Sequence, residues 1–422
     1  MSGGDLPSAR DVSLTVFQSD GFEERKFTMS LVTFGQFMDH DLSISPIFQT
    51  QQPNGSLSAI ECCGPKGSSV LPLDQRHPQC LPIPVGAHDS FFKQFNVRCL
   101  NFVRSLPAPD YQCRPRPATQ INEITSWIDL SQVYGSSHKK SDELREYRHG
   151  FMKVSSGDLL PHEIPVKGCN KDLCFKAGDE RANENIILAL FHTIFVREHN
   201  RIARELAKHH SGASDGFLYE EARRINIAEW QHIAYNEWLP ALVGHDFARQ
   251  VGLSGHPGRH TYTPFLNPSI STEFSSAGFR LHSMVQGIIE LVNEIGNAER
   301  NLQLDDTFFE PTELKMEKTF NEIARGIVRT PPQRFDGAFT MALRGNLFRV
   351  GQFGLDLPAL NIQRGRDHGI PTYVTVASRC NGLYLDSFDS LRQLISPSDV
   401  KALQGVYKGY RDVDLFAGLN LE

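Results

Sequence analysis

The feature that most constrains the fold is a long amphipathic pattern over residues 183–208. Apolar side chains recur there at i, i+3, i+4, i+7 and i+8, the spacing of one helix face: Ile187, Leu190, Phe191, Ile194 and Phe195. Helical spacing also occurs over residues 31–42, 219–239, 272–292 and 320–327, while strand-type alternation is sparse. We therefore expect the 422 residues to form one large, mainly α domain with little β structure and with this apolar face in its core.

Residues 43–118 lack this periodicity and are rich in Pro, Gly, Ser and Cys. We interpret them as a long loop excursion within the domain, held by disulfides. Cys62 and Cys63 could pair with Cys80 and Cys99, and Cys169 could pair with Cys174. Cys113 and Cys380 would then be left over. Reduced cysteines in a cytosolic protein are the alternative.

Charge and hydropathy argue against nucleic-acid binding and against a membrane-spanning helix. The formal net charge is −6 and no block of Lys or Arg is present, so nucleic acid is not an expected partner. The apolar stretch 186–196 is too short for a bilayer, and no transmembrane helix is expected. The N-terminus lacks a signal-peptide pattern, whereas the cysteines and the glycosylation triplet 54–56 favour a secreted protein.

The first candidate site lies in residues 34–41, where helical spacing places Gln36, Asp39 and His40 on one face. A neutral histidine can take a proton from one peroxide oxygen and return it to the other, which makes His40 a candidate acid–base catalyst. A solvated polar stripe is the alternative.

A second candidate site, in residues 125–131, has the oxygen ligands that calcium prefers. These are Thr125, the carbonyl of Trp127, Asp129 and Ser131, with Asp41 as a possible further carboxylate. A turn or a half-exposed strand would fit the same residues.

A third pattern precedes the helix expected at residues 183–208. Asp179 stands at an N-cap position, and Arg181 and Glu184 are neighbours at i, i+3. Arg181 cannot lose its proton at working pH, so it could stabilise a departing oxygen. A surface ion pair is the alternative.

Two further segments carry candidate cofactor ligands. His282 lies on an apolar run and could hold haem iron if Asn361 accepted its second ring N–H, although a core histidine is the alternative. Residues 356–371 place Arg364, Arg366 and Asp367 between two prolines, which predicts a charged loop able to bind carboxylates such as haem propionates.

Together these segments resemble the animal haem peroxidases, in the same order along the chain and over nearly its whole length. The resemblance implies that His40 is the distal histidine, Gln36 its neighbour in the peroxide or halide pocket, and Arg181 the catalytic arginine. Asp39 and Glu184 correspond to the carboxylates that become ester-linked to haem. The resemblance also implies a calcium site at Asp41, Thr125, Trp127, Asp129 and Ser131.

On the other side of the haem, the resemblance makes His282 the proximal iron ligand and Asn361 its hydrogen-bond partner, with Arg280 and Arg364 near the propionates. The chain departs from the family in having only Leu281 between Arg280 and His282, where relatives have two residues. Asn185 stands where myeloperoxidase has a methionine that bonds to haem. Relatives also extend further at both ends, so the domain is expected to be incomplete, above all at its C-terminus.

The expected function is that of a haem peroxidase with one b-type haem and one calcium ion, located outside the cell. It would reduce hydrogen peroxide and oxidise an organic donor or a small anion. One alternative is a haem fatty-acid oxygenase, which needs a tyrosine near the proximal side, for which Tyr373 is available. The other is a peroxidase-like adhesion or matrix protein with little activity.

Overall fold

The computed structural model describes residues 4–19, 21–109, 117–162, 169, 174–253 and 262–422, and these are mainly helical, as predicted. The helices are α1 Ala9–Val16, α2 Met29–Leu42, α3 Ser131–Tyr134, α4 His138–Leu144, α5 Ile186–His209, α6 Asp215–His232, α7 Leu239–Val243, α8 His245–Gln250, α9 Glu317–Arg329, α10 Met341–Arg344, α11 Leu357–His368, α12 Tyr373–Asn381, α13 Pro397–Val406 and α14 Leu415–Leu419. No helix among these described residues is both long and apolar enough to cross a bilayer.

The strands form short antiparallel pairs: β1 Thr50–Gln51 with β2 Leu57–Ser58, β3 Ile83–Pro84 with β4 Cys99–Leu100, β5 Ile288–Val292 with β6 Ala298–Gln303, and β7 Leu347–Val350 with β8 Phe353–Leu355. The first two pairs lie in the loop excursion. Disulfides join Cys62 to Cys80 and Cys63 to Cys99 there, and Cys169 to Cys174 further along. Cys380 is free and exposed, while Cys113 lies outside the described residues.

Helix α5 is the centre of the larger hydrophobic core. The side chain of Asn185 caps it by accepting from the backbone N–H of Leu188 at 2.9 Å. Its apolar face packs against α2, α6 and α9, and the predicted core residues of this face are buried except Ile194, which is 39% exposed. The path of α6 continues through a π-helical turn, Ile233–Trp238, into α7. This turn precedes Pro240, which has no N–H for a regular helical bond.

Two predicted elements are wrong. Residues 272–292 are not one helix but a π-turn, Phe274–Gly278, a 3-10 turn, His282–Met284, and strand β5. The helical spacing of apolar residues does not produce a helix there, because residues 288–292 pair with β6 as an antiparallel strand. The turn between the two strands contains Gly296, which has φ +86°.

The predicted loop over residues 356–371 is largely helix α11. The Asp356 side chain caps this helix by accepting from the N–H of Ala359 at 3.0 Å. Pro358 lies in the first turn, where its missing N–H costs nothing, and Gly369 ends the helix with φ +64°. The two prolines that suggested a loop, Pro358 and Pro371, therefore lie in the first turn of α11 and beyond its end, and α11 carries Asn361 on a regular helix.

A buried ion pair joins α1 to the start of α11. Arg10 donates to Asp89 at 2.7 Å and to Asp356 at 2.5 Å, with all three side chains at most 1% exposed. We expect Arg10→Met to lower the free energy of unfolding by about 3–5 kcal/mol, because it leaves two buried carboxylates without their cation. Urea unfolding measures this loss.

The matched control is Arg249→Met, which removes an exposed i, i+3 pair with Asp246. That change should cost less than about 1 kcal/mol. An equally small effect for Arg10→Met would show that the buried pair does not stabilise the fold.

Candidate active site

A cavity of about 260 Å³ lies between α2, the start of α5 and residues 279–286. Leaving aside the predicted calcium ligands, the structure brings most of the predicted site residues together on its wall: Gln36, Asp39, His40, Arg181, Glu184, Arg280 and His282. Apolar side chains form much of the remaining wall, among them Val32, Ile187, Phe279, Leu304, Phe308, Leu343, Phe348 and Leu360. The cavity thus combines a wide apolar lining with a few converging polar groups.

His40 is buried on the wall formed by α2. Its Nε2 lies 3.8 Å from Oε2 of Glu184, and Gln36 donates to that same oxygen at 3.2 Å. Burial, together with the positive charge of Arg181, holds the pKa of His40 well below its usual range. The imidazole is therefore neutral at physiological pH and can accept a proton on the cavity side.

Arg181 is held in place by Asp179, the N-cap of the 3-10 turn Glu180–Asn183. The guanidinium donates to both carboxylate oxygens of Asp179, at 2.9 and 2.7 Å, and to the backbone carbonyls of Ser43 and His40. Burial alone would favour the neutral guanidinium, but the neighbouring carboxylates outweigh it and raise the pKa of Arg181. It is a fixed positive charge beside His40.

Two carboxylates, Asp39 and Glu184, lie on the same wall. Burial raises the pKa of Glu184 to about 7, against the lowering effect of Arg181. The pKa of Asp39 is also raised by burial, and Arg280 and Arg181 oppose this shift. Both carboxyls are therefore protonated more readily than exposed ones.

His282 lines the same cavity from the segment 279–286. Its Nδ1 lies 3.1 Å from the side-chain amide of Asn361, whose oxygen can accept the ring N–H when the amide is turned towards it. Burial lowers the pKa of His282 to about 3, so the ring is neutral. Its Nε2 has no hydrogen bond to any described residue, which leaves that lone pair available as a metal ligand.

The two predicted propionate arginines differ in position. Arg280 lies on the cavity wall, donates to the carbonyl of Ser275, and has a buried Nε with no partner among the described residues. The structure places Arg364 outside the cavity lining. It donates to Val103 and Ser105 at 3.0 and 2.9 Å and pairs with Asp367 at 3.0 Å.

The predicted calcium residues also come together. Asp41 is fully buried and accepts from the backbone N–H and the hydroxyl of Ser131, at 2.7 and 2.9 Å. Thr125 donates to Asp129 at 2.9 Å, and Trp127 lies on the same segment with its ring partly exposed. Burial and the neighbouring charge of Asp129 raise the pKa of Asp41 to about 7.

The sequence patterns did not predict the contacts of three polar residues at or near the site. Asp179 was predicted as a cap, but its ion pair with Arg181 was not; its position two residues earlier is the signal that could have shown it. Gln132 and His192 are fully buried and contact Phe37 of α2, one turn before His40. Nothing in their sequence positions distinguishes them from ordinary core residues.

The fold and this cavity define a mainly α protein with an enclosed, largely apolar cavity lined by two histidines, His40 and His282. The chain belongs to the animal haem peroxidase family, which matches residues 1–422. It is similar to the chorion peroxidase of Drosophila melanogaster, at 36% identity over all of this chain and 52% of that protein. It is also similar to a peroxidase of the same organism, at 35% identity over all of this chain and 63% of that protein. The chain thus spans about half to two thirds of these relatives.

Solved structures agree with this assignment. Peroxidase A from Dictyostelium discoideum matches all of the chain and 79% of its own, with a TM-score of 0.80 and 26% identity. A fatty acid alpha-dioxygenase from Oryza sativa matches 98% of the chain and 67% of its own, with a TM-score of 0.73 and 17% identity. The second likeness shows a common fold only.

Proposed function

We propose that this chain is a haem peroxidase that reduces hydrogen peroxide and oxidises an organic donor or a small anion. The observation that carries the proposal is the convergence on one cavity of a neutral His40, a charged Arg181 and a neutral His282. Membership of the animal haem peroxidase family and the relatives named peroxidase support it.

The residues present fit a haem. His282 would hold the iron through Nε2, with Asn361 keeping the ring oriented. The apolar wall would enclose the porphyrin, Arg280 would face a propionate, and Arg364 would support that side from outside the lining. Asp39 and Glu184 would be placed to form ester links to it. When bound, haem supplies the iron at which the O–O bond breaks and the electrons for peroxide reduction.

This chain's own residues would handle the protons and the charge. His40 would accept a proton from one peroxide oxygen at Nε2 and deliver it to the other, which leaves as water. Arg181 would stabilise the negative charge on that departing oxygen. Gln36 would keep Glu184 oriented beside His40 through its 3.2 Å hydrogen bond.

The donor class follows in part from Asn185. Its amide donates to Oε1 of Gln36 at 3.1 Å, so it belongs to the polar wall of the cavity. An amide cannot form the thioether-derived bond to haem that a methionine forms. We therefore propose organic donors or easily oxidised anions as substrates, and not efficient chloride oxidation.

Calcium is the second proposed cofactor, held by Asp41, Asp129, the hydroxyls of Thr125 and Ser131, and the carbonyl of Trp127. Two neighbouring carboxylates, one of them fully buried, are a charge arrangement that a cation compensates. No group of three or more His, Cys, Asp or Glu side chains suited to a metal occurs in the described part of the chain. The proposed site therefore depends on hydroxyl and carbonyl oxygens as well.

Removal of calcium is expected to lower the melting temperature. Calcium at about a hundred times its dissociation constant would stabilise the folded state by about 2.7 kcal/mol. Differential scanning calorimetry with calcium and with EDTA measures this difference, which Asp41→Asn should abolish. The control, Asp389→Asn, changes an exposed carboxylate and should keep it. A wild-type melting temperature that is the same with calcium and with EDTA would contradict the calcium site.

The two alternative functions have less support. Tyr373 would be the tyrosine of an oxygenase, but it is buried away from the cavity lining and its hydroxyl donates to Glu422 at 3.0 Å. The three disulfides support a location outside the cell, where a matrix protein would also reside.

Haem uptake followed by peroxide turnover tests the proposal. We expect the purified chain with calcium to bind added haem with a Soret band, and to oxidise a phenolic donor when peroxide is titrated in. Failure to take up haem would favour the adhesion or matrix alternative. Oxygenation of a fatty acid without peroxide-dependent donor oxidation would favour the oxygenase.

A further inference from the structure

A second polar region lies against α2 one turn before His40, and its side chains are outside the cavity lining. It contains Gln132 from α3 and His192 from α5, both fully buried. The ring of His192 meets Phe37 edge-on with centroids 4.9 Å apart, and Gln132 donates to the backbone carbonyl of Phe37 at 3.1 Å. Phe37 is one turn before His40, so both side chains pack at the turn of α2 that carries His40.

Several polar atoms of these side chains have no hydrogen-bond partner among the described residues. They are Nδ1 of His40, Oε1 of Gln132 and both ring nitrogens of His192. The backbone carbonyl of Gln132 lies near enough to His192 to favour its protonation, but without the geometry of a full hydrogen bond. An unpaired buried polar atom costs about 1–3 kcal/mol, so such atoms rarely stay unpaired.

The unpaired atoms are chemically complementary. If His40 accepts the peroxide proton at Nε2, its Nδ1 must carry the ring hydrogen and needs an acceptor. Oε1 of Gln132 can only accept, and a neutral His192 has one accepting nitrogen. His192 is also close enough to His40 for their charges to interact. One buried water could bond to all three of these groups, so that of the four atoms only the N–H nitrogen of His192 would need another partner.

We propose that His192, with Gln132, accepts the Nδ1–H of His40 through one buried water molecule and so fixes His40 in the tautomer that leaves Nε2 free. His192 is then a positioning residue: it touches neither peroxide nor haem and acts through His40. The inference rests on the proposed function of His40 as the base. Without this acceptor, His40 would also populate the Nε2–H tautomer, which cannot take a proton from peroxide.

The tautomer can be measured without haem. Two-bond ¹H–¹⁵N correlation spectra of histidine-labelled, calcium-loaded protein report which ring nitrogen carries the hydrogen, and loss of a signal set in His40→Gln assigns His40. We expect a single Nδ1–H tautomer in the wild type and a mixture in His192→Phe. His192→Asn keeps an accepting group and should restore the single tautomer.

Thr193→Val is the matched control. Thr193 is the next residue on α5, is also fully buried, and its hydroxyl donates to Ala189 of the same helix at 2.8 Å. The substitution disturbs α5 at the same depth but should leave the tautomer of His40 unchanged. If His192→Phe fails to fold, His192→Leu removes the same nitrogens with less volume.

With haem bound, His192→Phe should slow the reaction with peroxide about ten- to hundredfold, the usual cost of losing an orienting hydrogen-bond partner, with the KM for the donor unchanged. A His40 tautomer that stays the same in both His192→Phe and His192→Leu would overturn the inference. The proposed function fails differently: a haem-loaded wild type that does not react with peroxide refutes it, and the tautomer spectra still decide the role of His192.

Discussion

His282→Ala is expected to lose haem binding, so that the variant titrated with haem shows no Soret band where the wild type does. His282 is the histidine on the cavity wall whose Nδ1 has an amide partner and whose Nε2 is free to bind a metal. Removing only the hydrogen-bond partner of a metal ligand costs about 10–100-fold in metal affinity, and loss of the ligand should cost more. Absorption titration measures the loss.

Chemical rescue separates loss of the ligand from loss of the fold. His282→Gly leaves space for free imidazole, which should restore the band, and circular dichroism should show an unchanged helix content. Asn361→Leu keeps the ligand and should weaken haem binding by the smaller factor. Haem binding that survives in both His282 variants would mean that the iron is held by another residue.

The cavity wall formed by α2 and residues 179–184 could be predicted well because its contacts are local in sequence. Gln36, Asp39 and His40 share a face of α2 at i, i+3 and i+4, and the structure places all three on the cavity wall. Asp179, predicted as the N-cap of the long helix, instead caps the 3-10 turn before it by accepting from the N–H of Arg181 at 2.8 Å, and Asn185 caps α5 itself. Short-range spacing and capping are the interactions that sequence patterns record directly.

The cavity wall formed by residues 279–286, which carries His282, could not be predicted as well, because its conformation depends on distant residues. His282 lies on a 3-10 turn instead of a helix, because the strand that follows pairs with residues 298–303. Apolar spacing alone cannot distinguish a buried helix from a buried strand with flanking turns. The position of His282 on the wall was predictable from its motif, but its secondary structure was not.

The position of the Arg364 side chain also depends on distant residues and could not be predicted from the local sequence. Its partners Val103 and Ser105 come from the loop excursion, more than 250 residues earlier, and its guanidinium stacks on Phe102. A dense charge pattern between two prolines indicated carboxylate binding but contained no information about these contacts. Partners from distant parts of the chain decide whether an arginine faces the cavity or the protein interior.

The second large effect is expected for His40→Leu. This variant should still bind haem through His282, but its second-order rate constant for hydrogen peroxide should fall by about 10²–10⁴-fold, the usual contribution of general acid–base catalysis. Leucine is similar in size and apolar, so the cavity wall stays closed and only the proton acceptor is lost. Stopped-flow absorption at the Soret band measures the rate.

The structure makes this test specific for the imidazole. Arg181 is held by the backbone carbonyl of His40 and by both oxygens of Asp179, and none of these atoms is removed by the substitution. His232→Leu makes the same change at an exposed position on α6 and should leave the rate unchanged. A His40→Leu variant that reacts within about threefold of the wild type would show that the proton moves without His40. Arg181 stays in place in this variant. A large loss of rate would therefore show that stabilising the charge on the departing oxygen is not enough for peroxide reduction without a base.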